Sequence, residues 1–191
     1  MREKSLEKKN TILKVTLELI AEQGFHGTSI SQIADRSKVN VGSIYYHFKN
    51  KDDILNALYI DSKSRMTQWV FRDCAEDLPV DEKLRHIMVN IIRYYNANQE
   101  ELSFIEQYER SPYISEIILI EEYKDIMKKY IDIYEQLMIQ GLIKDLPIDV
   151  IYNLVSGAVV SLAKYCVSIT DALEESVLLA AIEAIWDMVK K

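Results

Sequence analysis

Glycine and proline are scarce in this chain, with five and three occurrences among 191 residues. A shortage of turn-forming residues favours long helices over many short strands, because each strand reversal needs a turn. No uninterrupted apolar run approaches the roughly 18 residues that a membrane span requires. The two cysteines, Cys74 and Cys166, lie far apart and are interpreted as reduced thiols. These absences argue against a secreted disulfide scaffold and predict a helical protein without a membrane partner.

Recognisable catalytic motifs and metal-ligand patterns are missing as well. His26, His47 and His86 stand without a cysteine or carboxylate at ligand spacing, so we predict no metal site and no cofactor. The sequence also lacks a glycine-rich phosphate loop and a Gly-x-Ser-x-Gly elbow. We therefore predict no catalytic residues and not an enzyme. An all-helical enzyme with an unrecognised site stays open as an alternative.

Positive charge is concentrated at the N-terminal end of an otherwise acidic chain. The net charge is −7, but residues 1–51 carry nine basic and five acidic side chains, a balance of +4. The other 140 residues carry 14 and 25, a balance of −11. Phosphates repel an acidic body, so the basic end would be presented to nucleic acid. No apolar signal region follows the charged N-terminus, and we expect a cytoplasmic protein.

Apolar residues recur at helical spacing along nearly the whole chain, which predicts an all-α fold. We predict about nine helices and essentially no sheet. The first covers roughly residues 5–22 and ends at Gly24, in the position of a helix C-cap. A fourth helix begins after Asn50 and runs to about Cys74. Later helices are predicted near residues 80–98, 101–110, 113–141, 147–168 and 172–190.

Residues 28–51 have the layout of a helix-turn-helix. Ser29, with Gln32 three residues later, forms a capping box that starts a short helix. The turn at residues 38–40 ends in an asparagine, which suits the N-cap of the next helix. That second short helix, residues 41–48, ends in aromatic side chains. In a helix-turn-helix the second helix lies in the DNA major groove, so this segment predicts DNA binding.

The second short helix divides into an inner and an outer face. Ile44 and Phe48, four residues apart, should face inward and pack on Ile33 and Leu17. These four side chains would anchor the helix in the core of the N-terminal domain. The rest of the helix surface is then left to face the groove.

The outer face is predicted to carry Ser43, Tyr46 and His47. The adjacent Tyr45, Tyr46 and His47 cannot all point the same way on a helix, so at least one is exposed. A core cluster is the alternative for this triplet. No arginine faces the groove, and readout would rest on hydroxyls, tyrosine rings, thymine methyl contacts and DNA shape.

Over residues 24–55, Gly-x-x-x-Thr-Ser-Ile-x-x-Ile-Ala and Val-x-x-Gly-x-Ile-Tyr-x-His-Phe-x-x-Lys-x-x-Ile-Leu resemble the TetR family of bacterial transcriptional regulators. The resemblance implies a helix-turn-helix DNA-binding domain over residues 1–50. It further implies a helical ligand-binding and dimerisation domain over residues 51–191. A homodimer would bind a palindromic double-stranded DNA operator, most often as a repressor, and would respond to a small-molecule effector. Regulation by a protein partner without a small ligand is the alternative.

The resemblance also assigns individual DNA contacts. Thr28, Ser29 and Lys51 match phosphate-contacting positions of the family, and Tyr45 matches a position that touches the backbone while packing partly inside. The family often has glycine where this chain has Lys38, which implies a differently closed turn. Free N–H groups at the start of the second helix also favour phosphate. The predicted DNA-binding residues are Thr28, Ser29, Lys38, Asn40, Val41, Gly42, Ser43, Tyr45, Tyr46, His47 and Lys51.

Amphipathic aromatic side chains are frequent in the middle of the chain. Such side chains line many ligand cavities, although they more often fill a core. An apolar or amphipathic compound is the default effector, whereas a filled core would favour the protein-partner alternative. The predicted ligand-binding residues are Trp69, Tyr94, Tyr95, Phe104, Tyr108, Tyr113 and Tyr123.

The last two predicted helices are candidates for self-association. Residues 150–166 are almost uncharged and contain small side chains that would let another helix approach closely. Two such helices from each subunit would form a four-helix interface with two-fold symmetry. Burial wholly within one subunit is the alternative. The predicted interface residues are Gly157, Ser161, Leu178, Ala181, Ile182 and Ile185.

Overall fold

The computed structural model describes residues 2–169 and 173–191, in which it has ten helices and no strand. One isolated antiparallel bridge joins Ile143 to Lys190. The all-α prediction is therefore confirmed. The helices are α1 (Arg2–Gly27), α2 (Ile30–Ser37), α3 (Val41–His47), α4 (Lys51–Val70), α5 (Val80–Ala97), α6 (Gln99–Glu109), α7 (Ile114–Ile117), α8 (Glu121–Ile139), α9 (Ile148–Ser168) and α10 (Glu175–Val189).

The predicted single helix over residues 113–141 is wrong, because the structure separates α7 from α8. The N–H groups of Leu119 and Ile120 donate to the carbonyls of Glu116 and Ile117, three residues back. Such i→i+3 bonds tighten the backbone and end the α-helical pattern. No glycine or proline marks this break. Ile117 is fully buried, so tertiary packing decides the geometry here.

Two other helix boundaries differ from the predicted ones. α4 ends at Val70 rather than near Cys74, and Asp73 in the following turn has a left-handed φ of 61°. α10 begins at Glu175. The start predicted for it at residue 172 lies outside the described residues.

The chain forms two compact units that differ from the predicted domains. Unit 1 extends to Lys63 and includes Glu100–Ile120, whereas unit 2 comprises Ser64–Gln99 and Glu121–Lys191. The segment holding α7 and most of α6 thus joins the N-terminal helices. The predicted domain boundary between residues 50 and 51 stays a prediction, because the compact units divide the chain at other positions.

The core of unit 1 holds the helix-turn-helix in place. α1 packs against both α2 and α3. Ile44, Phe48, Ile33 and Leu17 are all buried, as their spacing predicts. Gly24 has φ 72° and interrupts the helical backbone of α1, which agrees with its predicted C-cap position.

Aromatic contacts fix α6 within unit 1. The ring of Phe104 lies 5.7 Å from that of Phe25, between centroids. Tyr108 stacks on Tyr59 with centroids 4.2 Å apart and planes inclined by 14°. The Tyr108 hydroxyl donates a hydrogen bond to Asn56 Oδ1 at 2.6 Å. These contacts join α6 to α4 and to the end of α1, which explains its place in this unit.

Unit 2 is a bundle in which α5, α8, α9 and α10 pack against one another. Arg85 on α5 forms ion pairs with Asp81 at 2.8 Å and with Glu183 of α10 at 2.7 Å. Its guanidinium also lies over the ring of Trp186, 4.8 Å from the centroid. One side chain therefore ties α5 to α10 through charge and ring contacts together.

α9 is, by length and composition alone, apolar enough to cross a membrane, and it is the one such helix among the described residues. The expectation that the chain has no such segment is corrected for this helix. One face of α9 is buried in unit 2, through Ile151, Val155, Val159 and Ala163. This face packs against α5, α8 and α10, whereas the other side of α9 is exposed.

Candidate nucleic-acid interface

The predicted capping box is present at the start of α2. Ser29 is the N-cap, and its Oγ accepts a hydrogen bond from the Gln32 N–H at 3.3 Å. In return, Gln32 Oε1 accepts from the Ser29 N–H at 2.8 Å. The box satisfies two backbone donors and leaves Ser29 exposed at the helix N-terminus.

The turn between α2 and α3 closes through a left-handed lysine. Lys38 is the C-cap of α2 with φ 58° and ψ 21°, a conformation that favours glycine. Asn40 is the N-cap of α3, and its Oδ1 accepts from the Ser43 N–H at 2.7 Å. The Asn40 cap is therefore confirmed. The left-handed Lys38 is the local cost of a turn without glycine.

α3 presents its aromatic residues to solvent. Tyr46 is 81% exposed and Tyr45 is 53% exposed, while Ser43 and His47 are half-buried. The Tyr46 and His47 rings meet edge to face with centroids 5.1 Å apart. The expectation that the triplet cannot all be buried is confirmed. Its role in reading DNA stays a prediction.

Gly42 leaves the N-terminus of α3 open. A Cβ atom built at this position would meet Asn40 Oδ1 at 3.6 Å, an ordinary van der Waals distance. No contact within the described chain requires glycine here. The missing side chain therefore leaves room beside the first N–H groups of α3 for an external group.

Two predicted phosphate contacts are engaged within the protein. Thr28 is 2% exposed, and its hydroxyl donates to the Gly24 carbonyl at 3.0 Å. The half-buried Lys51 donates from Nζ to the Phe25 carbonyl. Both side chains close the connection around the end of α1. The buried Thr28 hydroxyl does not support the predicted phosphate contact, and Lys51 has a structural partner that sequence reasoning missed.

Positive charge beside α3 comes from lysines rather than from arginine. Lys38 and Lys49 are exposed, and neither has an ion-pair partner within residues 2–169 and 173–191. Arg36 is instead paired with Glu22 at 2.5 Å and Glu18 at 3.5 Å. Its hydrogen bond lowers the pKa of Glu22. Lys49 was missed by sequence reasoning, although its place directly after the Phe48 anchor could have indicated it.

The seven predicted ligand-binding aromatics do not belong to one compact unit. Phe104 and Tyr108 are fully buried in unit 1. This burial is what a filled core requires, and their assignment to a ligand pocket stays a prediction. The Asp52 carboxylate accepts a hydrogen bond from Tyr113 and raises the pKa of that hydroxyl. The four that lie in unit 2 are Trp69, Tyr94, Tyr95 and Tyr123.

The interior of unit 2 mixes aromatic rings with polar groups. Trp69 and Tyr94 approach to 5.7 Å between centroids. The hydroxyls of Thr67 and Tyr130 share a hydrogen bond of 2.9 Å in a buried setting. Asn90, also buried, donates to a backbone carbonyl at the end of α4 at 3.1 Å. Thr67 and Asn90 could have been found as polar residues on otherwise apolar helical faces.

The predicted self-association residues fall on different sides of α9 and α10. Gly157 and Ser161 are exposed in the single chain, as residues that contact a second subunit must be. Leu178 and Ile182 are only 7% and 1% exposed, because they face the core of unit 2. This burial does not support their assignment to a surface between subunits, which stays a prediction. The remaining two, which are half-buried, are Ala181 and Ile185.

The outer faces of α9 and α10 expose other apolar residues. A depression of about 340 Å³ on α9 is lined by Asp149, Val150, Asn153 and Leu154. A Cβ at Gly157 would meet no atom within 4 Å, so this stretch of α9 is uncovered. On α9 these apolar residues share the exposed face of the predicted Gly157 and Ser161. On α10 the predicted Leu178 and Ile182 lie on the buried face instead. The large exposed ones are Val150, Leu154, Tyr165, Val177, Leu179 and Met188.

Two family models match the chain, one in its N-terminal part and one in its C-terminal part. Residues 12–58 match the model of the bacterial regulatory proteins of the tetR family. Residues 79–190 match the model of a tetracyclin repressor-like C-terminal domain. The second match alone covers more than half of the chain.

Individual relatives agree with these matches. An HTH-type transcriptional regulator of Haemophilus influenzae is 28% identical over 192 residues, covering 100% of both chains. The fatty acid metabolism regulator protein of Bacillus subtilis is 29% identical over 133 residues, or 69% of this chain and 66% of the relative. The structure of the B. subtilis regulator FadR with stearoyl-CoA has a TM-score of 0.72 at 21% identity and covers 93% and 95% of the two chains. The chain belongs to the TetR family of bacterial transcriptional regulators, and it is a DNA-binding protein whose helix-turn-helix is formed by α2 and α3.

Proposed function

We propose that the chain is a homodimeric repressor that reads a palindromic operator with α3 and is released by a small ligand carrying a long apolar chain. The 81% exposure of Tyr46 carries the DNA-reading part of this proposal. Ile44 and Phe48 anchor the helix from its other face, so the exposed ring contributes little to the core. A large ring held on an anchored helix is suited to contacts with base edges in a groove.

Phosphate contacts would position α3, and its outer side chains would read the sequence. The open N-terminus at Gly42 suits a phosphate oxygen, because the first N–H groups of a helix attract anions. Lys38 and Lys49 add unpaired positive charge beside α3. Ser43, with Tyr46, offers a hydroxyl and a ring to bases, which favours thymine methyl contacts over guanine readout by arginine.

Two-fold symmetry follows from the short length of α3. A helix of seven residues reads few base pairs, and two copies about 34 Å apart would read a palindrome. The exposed apolar face of α9 and α10, with the bare backbone at Gly157, suits coverage by the same face of a second copy. Burying that face would also account for the apolar length of α9 without a membrane, in keeping with action in the cytoplasm.

The ligand class is supported by the relatives together with the interior of unit 2. One relative is named a fatty acid metabolism regulator, and a structural neighbour contains stearoyl-CoA. Aromatic rings with hydroxyl and amide groups, as found around Trp69 and Asn90, can hold an apolar chain and orient a polar head. We propose a long-chain acyl compound as effector. Its binding would shift the population away from the DNA-binding form through α4, the helix that begins in unit 1 and ends in unit 2.

Selection of bound duplexes from a random pool tests the DNA part of the proposal. We expect a palindromic consensus whose half-sites are separated by about one helical turn. A consensus without two-fold symmetry would contradict the homodimeric reading, and the absence of any enriched sequence would contradict operator binding.

Titration of the protein–operator complex tests the effector. Stearoyl-CoA, free stearate and coenzyme A form the three arms, because they separate the acyl chain from its head group. We expect the two compounds that contain the acyl chain, stearoyl-CoA and free stearate, to lower operator affinity at least about ten-fold, which corresponds to about 1.4 kcal/mol. A compound that raises the unfolding temperature but leaves operator affinity unchanged would contradict this coupling.

A further inference from the structure

The first turns of α1 project beyond the core of unit 1. α1 begins at Arg2, and from Lys4 onward its first fully buried side chain is Ile12. The match to the family's DNA-binding domain also begins at residue 12. At a rise of about 1.5 Å per residue, Lys4 lies about 12 Å along the helix from Ile12. Residues 4–11 contribute no fully buried side chain to the core, so their composition calls for another explanation.

Three lysines dominate the surface of this extension. Lys4, Lys8 and Lys9, here called the N-terminal lysine cluster, are all exposed. None of them has an ion-pair or hydrogen-bond partner within the described part of the chain. By contrast, Lys124 and Lys128 on the exposed face of α8 pair with Glu121 at 2.5 Å and Asp132 at 2.6 Å.

The spacing of the cluster disfavours the helix that carries it. Lys4 and Lys8 are four residues apart and share one helical face, where like charges repel. The intervening Glu7 is also exposed, but it forms no ion pair with either lysine in the described structure. The positive charges of the cluster weaken their own helix and have no partner within the described chain. They are therefore available to bind an external anion.

We propose that the N-terminal lysine cluster binds DNA phosphates that flank the half-site read by α3. This inference rests on the proposed function, because it needs an operator. α1 packs on both α2 and α3 and continues without a break to Gly24, so a rigid element joins the cluster to the reading helix. Lysine is a compact point charge, which suits phosphate contacts that position the protein without reading bases.

The salt dependence of operator binding reports this contact. Each phosphate neutralised adds about 0.9 to the slope of log affinity against log salt concentration. In a homodimer each lysine position would count twice, which amounts to about 1.8 per position. Preference for the operator over a mismatched duplex should stay unchanged, since phosphate contacts carry no sequence information.

The experiment compares two triple variants on the palindromic duplex obtained by selection. One variant is Lys4→Gln, Lys8→Gln and Lys9→Gln. Its matched control is Lys124→Gln, Lys128→Gln and Lys129→Gln, which makes the same charge change on the exposed face of α8. Glutamine and lysine have similar helix propensity, so circular dichroism should show unchanged helicity. Binding is measured between 50 and 200 mM salt, roughly the range over which such contacts dominate.

We expect the slope of log affinity against log salt concentration to be shallower for the N-terminal variant but unchanged for the α8 control. Replacing the same three N-terminal lysines by arginine should give the wild-type slope. An unchanged slope in the N-terminal variant, or an equal loss in the α8 control, would overturn the inference. If the wild-type protein selects no palindrome, the proposed function fails first and the inference fails with it. If the wild type binds and the N-terminal variant behaves identically, only the inference fails.

Discussion

α3 in unit 1 and the outer faces of α9 and α10 in unit 2 both expose large apolar side chains, but their surroundings differ. Around α3 the exposed Tyr45 and Tyr46 are accompanied by the unpaired Lys38 and Lys49. The exposed residues of α9 and α10 are mostly aliphatic, and they lie among small side chains. Exposure alone therefore does not indicate a partner. The tyrosine rings of α3 lie beside unpaired lysines, which favours binding to a polyanion. The aliphatic side chains around Gly157 favour packing against another apolar helix.

A charge placed on the outer face of α9 should have the largest effect. We expect Leu154→Glu to dissociate the proposed dimer, since an uncompensated charge in an apolar interface costs about 3–5 kcal/mol. Analytical ultracentrifugation measures the loss as a dimer dissociation constant raised more than about 100-fold. Ile139→Glu at the end of α8, where the residue is 84% exposed, is the control and should leave assembly unchanged. If the Leu154→Glu variant stays dimeric, the outer face of α9 is not the dimer interface.

Truncation of an α3 anchor should destabilise the protein rather than change its selectivity. Ile44 is fully buried, and Ile44→Ala should lower the free energy of unfolding by about 2–5 kcal/mol through lost burial and a cavity. Urea denaturation followed by circular dichroism measures the change. A loss below about 1 kcal/mol would mean that the inner face of α3 is not an anchor.

Truncation of the most exposed ring of α3 should have the opposite profile. We expect Tyr46→Ala to weaken operator binding about ten-fold, or about 1.4 kcal/mol, without lowering the unfolding temperature. Gel-shift titration at fixed salt measures the affinity. Leu119→Ala removes another largely exposed apolar side chain from unit 1 and serves as the control. Equal affinities for the Tyr46→Ala variant and the wild type would exclude this ring as a DNA contact.

Among the residues that the structure describes, each unit contains one non-glycine residue with a left-handed backbone, Lys38 in unit 1 and Asp73 in unit 2. Lys38→Gly and Asp73→Gly should each stabilise the protein by about 0.5–1 kcal/mol, because relief of the strain exceeds the added freedom of the unfolded chain. Thermal unfolding measures both. Only Lys38→Gly should also weaken operator binding and reduce its salt slope. Similar operator binding by the two variants would exclude Lys38 as a phosphate contact.

The smallest effect should be a pH-dependent one that is confined to unit 2. The hydrogen bond from Arg85 lowers the pKa of Asp81. A carboxyl whose pKa is lower in the folded state stabilises the fold above its usual pKa of about 4, and this contribution is lost as the pH falls through the folded value. The difference in unfolding free energy between wild type and Asp81→Asn should be below about 1 kcal/mol at pH 6. It should shrink further at about pH 3, and a difference that grows in acid would contradict the assigned cause.

The helix-turn-helix could be predicted because its signals are local. Ser29 with Gln32 and Asn40 with the Ser43 N–H are caps within three or four residues of chain, and the spacing of Ile44 and Phe48 fixes the inner face. These features need no knowledge of distant contacts. The same segment carries the TetR-family resemblance, and the family matches confirm it.

Other features depend on contacts between distant parts of the chain. The stacking of Tyr108 on Tyr59 places α6 in unit 1, and nothing near Tyr108 in sequence indicates this partner. The break before α8 likewise lacks a glycine or proline. On α10 apolar residues occur on nearly every side, so periodicity could not decide whether Ile182 or Val177 faces outward. Burial in the folded chain decided in favour of Val177.

The separation of anchors from outward-facing side chains on α3 has an evolutionary consequence. Ile44 and Phe48 fill the core, whereas Tyr46 on the opposite side is almost fully exposed. Substitutions on the outer side are therefore nearly neutral for folding, so they can accumulate while the domain keeps its shape. Descendants of one ancestral gene could acquire new target sites through a few such changes. The same property makes α3 a natural segment to randomise when a regulator with a different target is sought.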